Sequence, residues 1–76
     1  MAKVKIFVSL KEGILDPQGK TVGHALKNLG FNNASEVRIG KYITLNVDKA
    51  DDEEINDMCQ KLLVNPIIED YRYEIE

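Results

Sequence analysis

The feature that most constrains this chain is the stretch Glu36-Val37-Arg38-Ile39-Gly40-Lys41-Tyr42-Ile43-Thr44-Leu45-Asn46-Val47. Its odd positions carry Val37, Ile39, Ile43, Leu45 and Val47, and its even positions carry Glu36, Arg38, Thr44 and Asn46. That is the two-residue period of a strand with one buried face. Gly40-Lys41 is a candidate two-residue hairpin turn, a placement that glycine favours, but the phase speaks against it. A hairpin sets Ile39 opposite Tyr42, which puts Val37 and Ile39 on the face of Tyr42, Thr44 and Asn46 and away from Ile43, Leu45 and Val47. One continuous strand keeps the aliphatic side chains together. Such a strand spans roughly 40 Å at about 3.3 Å per residue, about twice the usual length. In a chain of 76 residues it is expected to belong in part to another subunit, one half completing its own unit and the half followed by the second helix and last strand completing a partner's; a strand that merely bends at Gly40 within one chain is the alternative.

Size points the same way. Ordering a chain this short costs on the order of 110 kcal/mol at roughly 1.5 kcal/mol per residue, and its own core leaves little surplus. A lone cysteine, Cys59, excludes an internal disulfide, and a lone histidine, His24, leaves no soft-ligand set for a structural metal. Oligomerisation is the remaining staple. A net charge of −3 lacks the surplus of Lys and Arg that neutralises phosphates, which argues against nucleic acid or an anionic membrane as partner. Met1-Ala2-Lys3 leads straight into a strand with no apolar signal region and no span near 20 residues. The expectation is one cytoplasmic domain over residues 1–76.

In order along the chain, Lys3–Leu10 alternates Val4, Ile6, Val8 and Leu10 against Lys3, Lys5, Phe7 and Ser9, a first strand whose polar face is interrupted by Phe7. Phe7 is either an isolated exposed aromatic or part of a contact patch. Asp16-Pro17 reads as a helix start, with aspartate capping free amides and proline at the first helical position. Val22, Ala25, Leu26 and Leu29 form a buried helical stripe, Gly19 and Gly23 weaken the helix by roughly 1 kcal/mol each relative to alanine, and Gly30 closes it with a left-handed cap. The glycine, lysine and threonine of Gly19-Lys20-Thr21 do not have P-loop spacing, and capping accounts for them better. The acidic run Asp51–Glu54 lacks the alternation and glycine of a calcium loop. It suits a second helix start, with Asp51 as cap and Glu54 completing a capping box. Ile55, Met58, Cys59, Leu62 and Leu63 continue that helix to Asn65-Pro66. Residues 67–75 read as the last strand, with Tyr71, Tyr73 and Ile75 on one face.

Nothing in this order carries chemistry of its own. His24 has no cysteine or acidic residue at triad or metal spacing, and Cys59 lies in an apolar stripe, where a thiol behaves as a small hydrophobe. Lys41 is the one charged odd position of the long strand. It reads as a snorkelling lysine at a strand bend, an ion-pairing contact at a subunit boundary, or both. From the residues alone the chain is a small α+β domain with no catalytic, cofactor or metal residues, working by binding other proteins or a small ligand at an interface.

Three stretches together identify a family resemblance: Leu15-Asp16-Pro17-Gln18-Gly19, Val37-Arg38-Ile39-Gly40-Lys41 and Lys61-Leu62-Leu63-Val64-Asn65-Pro66-Ile67-Ile68-Glu69-Asp70-Tyr71. In order and at about the family's spacing, they resemble the PurS subunit of phosphoribosylformylglycinamidine (FGAM) synthase, along nearly the whole chain. Val64, where the family has a smaller residue, and a short connection over residues 48–52 depart from it. The resemblance implies a βαβαβ two-layer sandwich related to the ferredoxin-like fold, with the long central strand shared in a dimer. It implies a non-catalytic subunit of a glutamine-dependent, ATP-driven ligase of purine biosynthesis, bridging a glutaminase and a synthetase subunit and supporting ammonia transfer. ATP and magnesium belong on this reading to the synthetase subunit and no cofactor to this chain. The partners are the two larger subunits and further copies of the chain, as a dimer or dimer of dimers. The residues expected to touch partners are Asp16, Arg38, Gly40, Lys41, Asn65 and Tyr71. The alternative is a ferredoxin-like regulatory module binding a small effector at a dimer interface.

Overall fold

A computed structural model describes all residues, Met1–Glu76. Strand β1 (Ala2–Leu10) is followed by helix α1 (Pro17–Asn28), strand β2 (Lys41–Val47), helix α2 (Asp52–Met58, running on through one π-helical turn at Cys59–Leu63) and strand β3 (Glu69–Ile75). The sheet order is β2-β1-β3, and β1 is antiparallel to both neighbours. Strands β2 and β3 are therefore parallel to each other, joined by α2, with β1 inserted between them: a split β-α-β unit, half of a ferredoxin-like sandwich.

The alternating patterns build one core. Val4, Ile6 and Val8 of β1 are buried with Ile55 and Cys59 of the second helix and Val64. The register sets Val4 opposite Leu45 and Ile75, and Ile6 opposite Ile43 and Tyr73, so the apolar sets of all three strands share the face that α2 covers. Asp51 caps α2 by accepting from the Glu53 amide at 3.1 Å. The stripe then drifts, because the Val64 amide bonds back to the Cys59 carbonyl, five residues away, and a π turn inserts one extra residue into the period. Leu62, expected in the stripe, is consequently 82% exposed while Val64 is buried.

The long stretch behaves as its phase requires and not as its length suggests. Val37, Ile39, Ile43, Leu45 and Val47 are all half-buried and the intervening residues exposed, with no hairpin at Gly40. Only Lys41–Val47 is strand, however. The pairing with β1 ends at Val8 opposite Lys41, so residues 37–40 carry the alternation past the end of the ladder, with only Gly40 still against β1 at the Val8 carbonyl. The paired half is the one that leads into α2 and β3, and it completes this chain's own sheet. This corrects the expectation that the half leading into the second helix and last strand completes a partner's sheet: Lys41–Val47 pairs with this chain's own β1. The last strand likewise begins at Glu69, because Asn65 folds the preceding residues into a turn: its side chain accepts from Ile67 N at 3.1 Å and its carbonyl from Glu69 N at 2.8 Å.

Helix α1 starts at Asp16-Pro17 as read, and ends in a Schellman arrangement: Gly30 at φ +94°, with its amide on the Lys27 carbonyl and that of Phe31 on the Leu26 carbonyl. Its stripe is not buried. No α1 side chain joins the core, and Val22 is 39% and Leu29 72% exposed. The helix stands off the sheet as an arm, which makes the radius of gyration 15.7 Å against about 11 Å for a compact chain of this length.

Candidate functional site

The arm is fastened to the sheet at one place. Asp16, which precedes the helix, is a buried carboxylate whose two oxygens are divided between two segments: Oδ1 accepts from Gly19 N at 2.8 Å and Oδ2 from Ile39 N at 2.6 Å. The first bond caps α1; the second ties the helix to the extended stretch after it. Hydrogen bonds from the Ile39 and Gly19 amides, helped by the neighbouring Arg38 charge, hold the carboxyl below the ordinary aspartate value against the opposing effect of burial. Folding thus depends on the ionised form: the contribution is complete above the ordinary aspartate value and is lost only as pH falls through the lower folded one.

Arg38 reaches the other way along the same joint, its Nη1 donating to the Ile14 carbonyl at 2.9 Å and its Nη2 to the Lys11 carbonyl at 3.1 Å. Two glycines let the backbones meet. A Cβ on Gly19 would overlap the Val37 carbonyl oxygen, and one on Gly40 would overlap the carbonyl oxygen of Val8 on β1. Glu36 turns the chain into this segment at φ +52°, a left-handed conformation uncommon outside glycine. Between α1 and residues 34–40 lies an open groove of about 790 Å³, and His24 stands exposed on its helical wall.

A second cluster closes the same end of the sheet. Lys41 Nζ lies 3.4 Å from Glu69 Oε2, and Glu69 Oε1 accepts from Asn65 N at 2.8 Å. The ion pair foreseen for Lys41 is made within the chain, linking the start of β2 to the start of β3. Lys11 and Asp70 make another such link at 2.6 Å. Tyr71 lies apart from both clusters, its hydroxyl donating to Asn56 Oδ1 at 2.8 Å and accepting from Gln60 Nε2 at 3.2 Å on α2. Asp16, Arg38 and Gly40 therefore come together at the joint, Lys41 and Asn65 meet through Glu69, and Tyr71 anchors the second helix.

The face of the sheet opposite α2 carries one organised row. Tyr42, Phe7 and Arg72 are register partners across the three strands. The Phe7 and Tyr42 rings stack at 5.1 Å between centroids, and the Arg72 guanidinium lies 4.1 Å from the Phe7 centroid. Phe7 is thus part of a patch. Cys59 is fully buried in the core, and burial pushes its thiol up, away from the thiolate a nucleophile needs. No helix is long and apolar enough to cross a membrane.

Sequence reasoning did not single out Glu69, the Ile39 amide or Gly19 as joint elements. For Gly19 a signal existed, since a glycine inside a helix against its propensity marks close backbone approach; Glu69 and Ile39 act through contacts distant in sequence, which no local pattern reports.

Fold and site define a class: a small α+β chain consisting of half a ferredoxin-like sandwich and a helical arm hydrogen-bonded to it at one joint. The family model described as "Phosphoribosylformylglycinamidine (FGAM) synthase", PurS, matches residues 3–76. The phosphoribosylformylglycinamidine synthase subunit PurS of Bacillus subtilis (strain 168) is 54% identical over 79 residues, covering 100% of this chain and 94% of that protein. A crystal structure of B. subtilis PurS superposes with a TM-score of 0.93, covering 100% of this chain and 99% of that one. A chain in the structure of PurLQS from Thermotoga maritima, 29% identical, superposes with a TM-score of 0.84 over 99% of this chain and 96% of its own length. The chain belongs to the PurS family.

Proposed function

We propose that this chain is the small subunit of a glutamine-dependent, ATP-driven FGAM synthase of de novo purine biosynthesis, acting as one cytoplasmic domain with no catalytic residue of its own. It bridges the glutaminase subunit, which releases ammonia, and the synthetase subunit, which holds ATP and magnesium and activates the amide oxygen of formylglycinamide ribonucleotide. Its role is to keep the two sites in register so that ammonia passes between them. The observation that carries this reading is the family match along residues 3–76, joined to the likeness to a chain of the PurLQS structure. The match also weighs against a small-effector regulatory module.

The geometry supports the association side of the reading. The arm presents Val22 and Leu29 without a cover, residues 37–39 lie outside the strand ladder, and α1, the helix that would complete the second half of a ferredoxin-like sandwich, lies off its own sheet. A second copy supplies what each lacks: a strand for residues 37–39 and an apolar face for the arm. The working unit on this account is a dimer or dimer of dimers. Gly40, Lys41, Asn65 and Tyr71 adjoin the surfaces that partners meet, and Asp16 and Arg38 lie at the joint that holds the arm behind them.

The test is co-purification with candidate glutaminase and synthetase subunits, with and without ADP and glutamine. A ternary complex retained under at least one of these conditions is the expected result. Failure to retain both subunits under every condition overturns the bridging role.

A further inference from the structure

Both carboxylate oxygens and both terminal guanidinium nitrogens of the arm's fastening are already engaged by the chain itself. Both oxygens of Asp16 accept backbone amides, one inside α1 and one 23 residues further on, and both terminal nitrogens of Arg38 donate to carbonyls of the loop that enters α1. Around them the helix meets the extended segment at van der Waals distance, with the Val37 carbonyl over Gly19 and Val37 Cγ2 3.7 Å from where a Gly23 Cβ would stand. The segment in turn meets β1 where Gly40 faces the Val8 carbonyl. A chain of fixed contacts therefore runs from the sheet to residues 37–40 to α1, while no α1 side chain takes part in the core.

We infer that Asp16 and Arg38 are positioning residues that lock the angle between the helical arm and the sheet, and that they serve assembly through this angle and not through direct contact with a partner. The inference rests on the subunit role proposed above for its functional half; the lock itself does not. The geometry makes the angle matter. The twelve-residue helix is about 18 Å long at 1.5 Å per residue, so a swing of about 20° at the joint displaces its far end by about 6 Å, enough to misplace Val22 and Leu29 on any surface they cover. The lock is also separable from the helix cap. Asparagine caps a helix as well as aspartate does, but its amide side chain has one acceptor oxygen where Asp16 uses two, so Asp16→Asn leaves either Gly19 N or Ile39 N facing a donor. A lysine at position 38 keeps the charge and loses the fork that spans two carbonyls.

Hydrogen exchange on the whole protein tests the lock, and reconstitution tests its use. In Asp16→Asn, protection of the Ile39 or Gly19 amide is expected to fall about tenfold or more, the effect of removing one acceptor from a buried donor. The β1 amides of Val4 and Ile6 should keep their wild-type protection. In the complex with the glutaminase and synthetase subunits, Asp16→Asn and Arg38→Lys should lower glutamine-dependent FGAM formation several-fold while ammonia-dependent formation holds. Unchanged protection at both amides overturns the lock. Wild-type exchange together with lost co-purification shows direct partner contact and overturns the positioning role. An unchanged glutamine-to-ammonia ratio, in a complex where wild type supports glutamine-dependent synthesis, removes the functional half. Failure of wild type itself refutes the subunit reading, and the exchange result still decides the lock.

Discussion

Alanine in place of glycine inside a helix ordinarily stabilises it by about 1 kcal/mol, and α1 offers that substitution twice with opposite expected signs. At Gly23 the nearest atom to an added Cβ is Val37 Cγ2 at 3.7 Å, an ordinary contact, so Gly23→Ala should stabilise the helix by about 0.5–1 kcal/mol. At Gly19 the same Cβ would overlap the Val37 carbonyl oxygen and lie 2.9 Å from Asp16 Oδ2. The obstacle there is backbone and a hydrogen-bonded carboxylate, neither of which rotates away. Overpacking of this kind costs up to about 3 kcal/mol, and subtracting the propensity gain of about 1 kcal/mol leaves a net destabilisation of about 2 kcal/mol. Because α1 lies outside the core, the assay is amide exchange of the helix, read at Leu29, whose amide bonds to the Ala25 carbonyl at 3.1 Å. Protection should fall about 30-fold in Gly19→Ala and rise about fivefold in Gly23→Ala. Equal gains in both variants would refute the close approach of α1 to residues 37–40.

Cys59→Ala is expected to cost about 1 kcal/mol through the small cavity it leaves and to leave the rate of a reconstituted complex unchanged; a large loss of rate with intact assembly would make the thiol functional. Lys41→Ala, which breaks the bond to Glu69, should weaken assembly in size-exclusion and pull-down assays more than Lys3→Ala does, and equal behaviour would count against Lys41 as an organiser of that end of the sheet. Thermal unfolding across a hundredfold dilution should show a falling midpoint if copies complete each other's sheets, whereas a folded monomer with a constant midpoint excludes the shared arrangement.

Local rules made much of this molecule legible. Asp16-Pro17 and Gly30 bracket α1 because caps act within a few residues, and Asp51 marks the start of α2 for the same reason. The phase of Val37 to Val47 correctly alternated half-buried aliphatics with exposed neighbours and removed the hairpin, although only Ile43, Leu45 and Val47 pack against the core while Val37 meets α1. Alternation reports which way side chains point, however, and not whether a strand lies alongside; β1 stops pairing β2 at Val8, so the regular pattern outlasts the ladder by residues 37–40. The stripe of Val22, Ala25, Leu26 and Leu29 likewise states that the helix has an apolar side without stating what covers it. Leu62 was misplaced because a single π turn shifts a helical period that sequence cannot show to be broken. At the joint, the capping role of Asp16 was readable, while its second bond to Ile39 depends on how the chain returns after α1. The three family-matching stretches meet around these two end-of-sheet clusters, with Glu69 the member that residue types alone did not distinguish.

The central claim, that this chain couples ammonia release to ammonia use while performing neither reaction, is tested most directly by reconstituting FGAM synthesis from separately purified subunits. The account predicts no turnover by this chain alone, ammonia-dependent synthesis by the synthetase subunit without it, and glutamine-dependent synthesis that appears only when all three are combined and saturates at a fixed ratio of this chain to the synthetase. Full glutamine-dependent activity from the two larger subunits in its absence would contradict the claim.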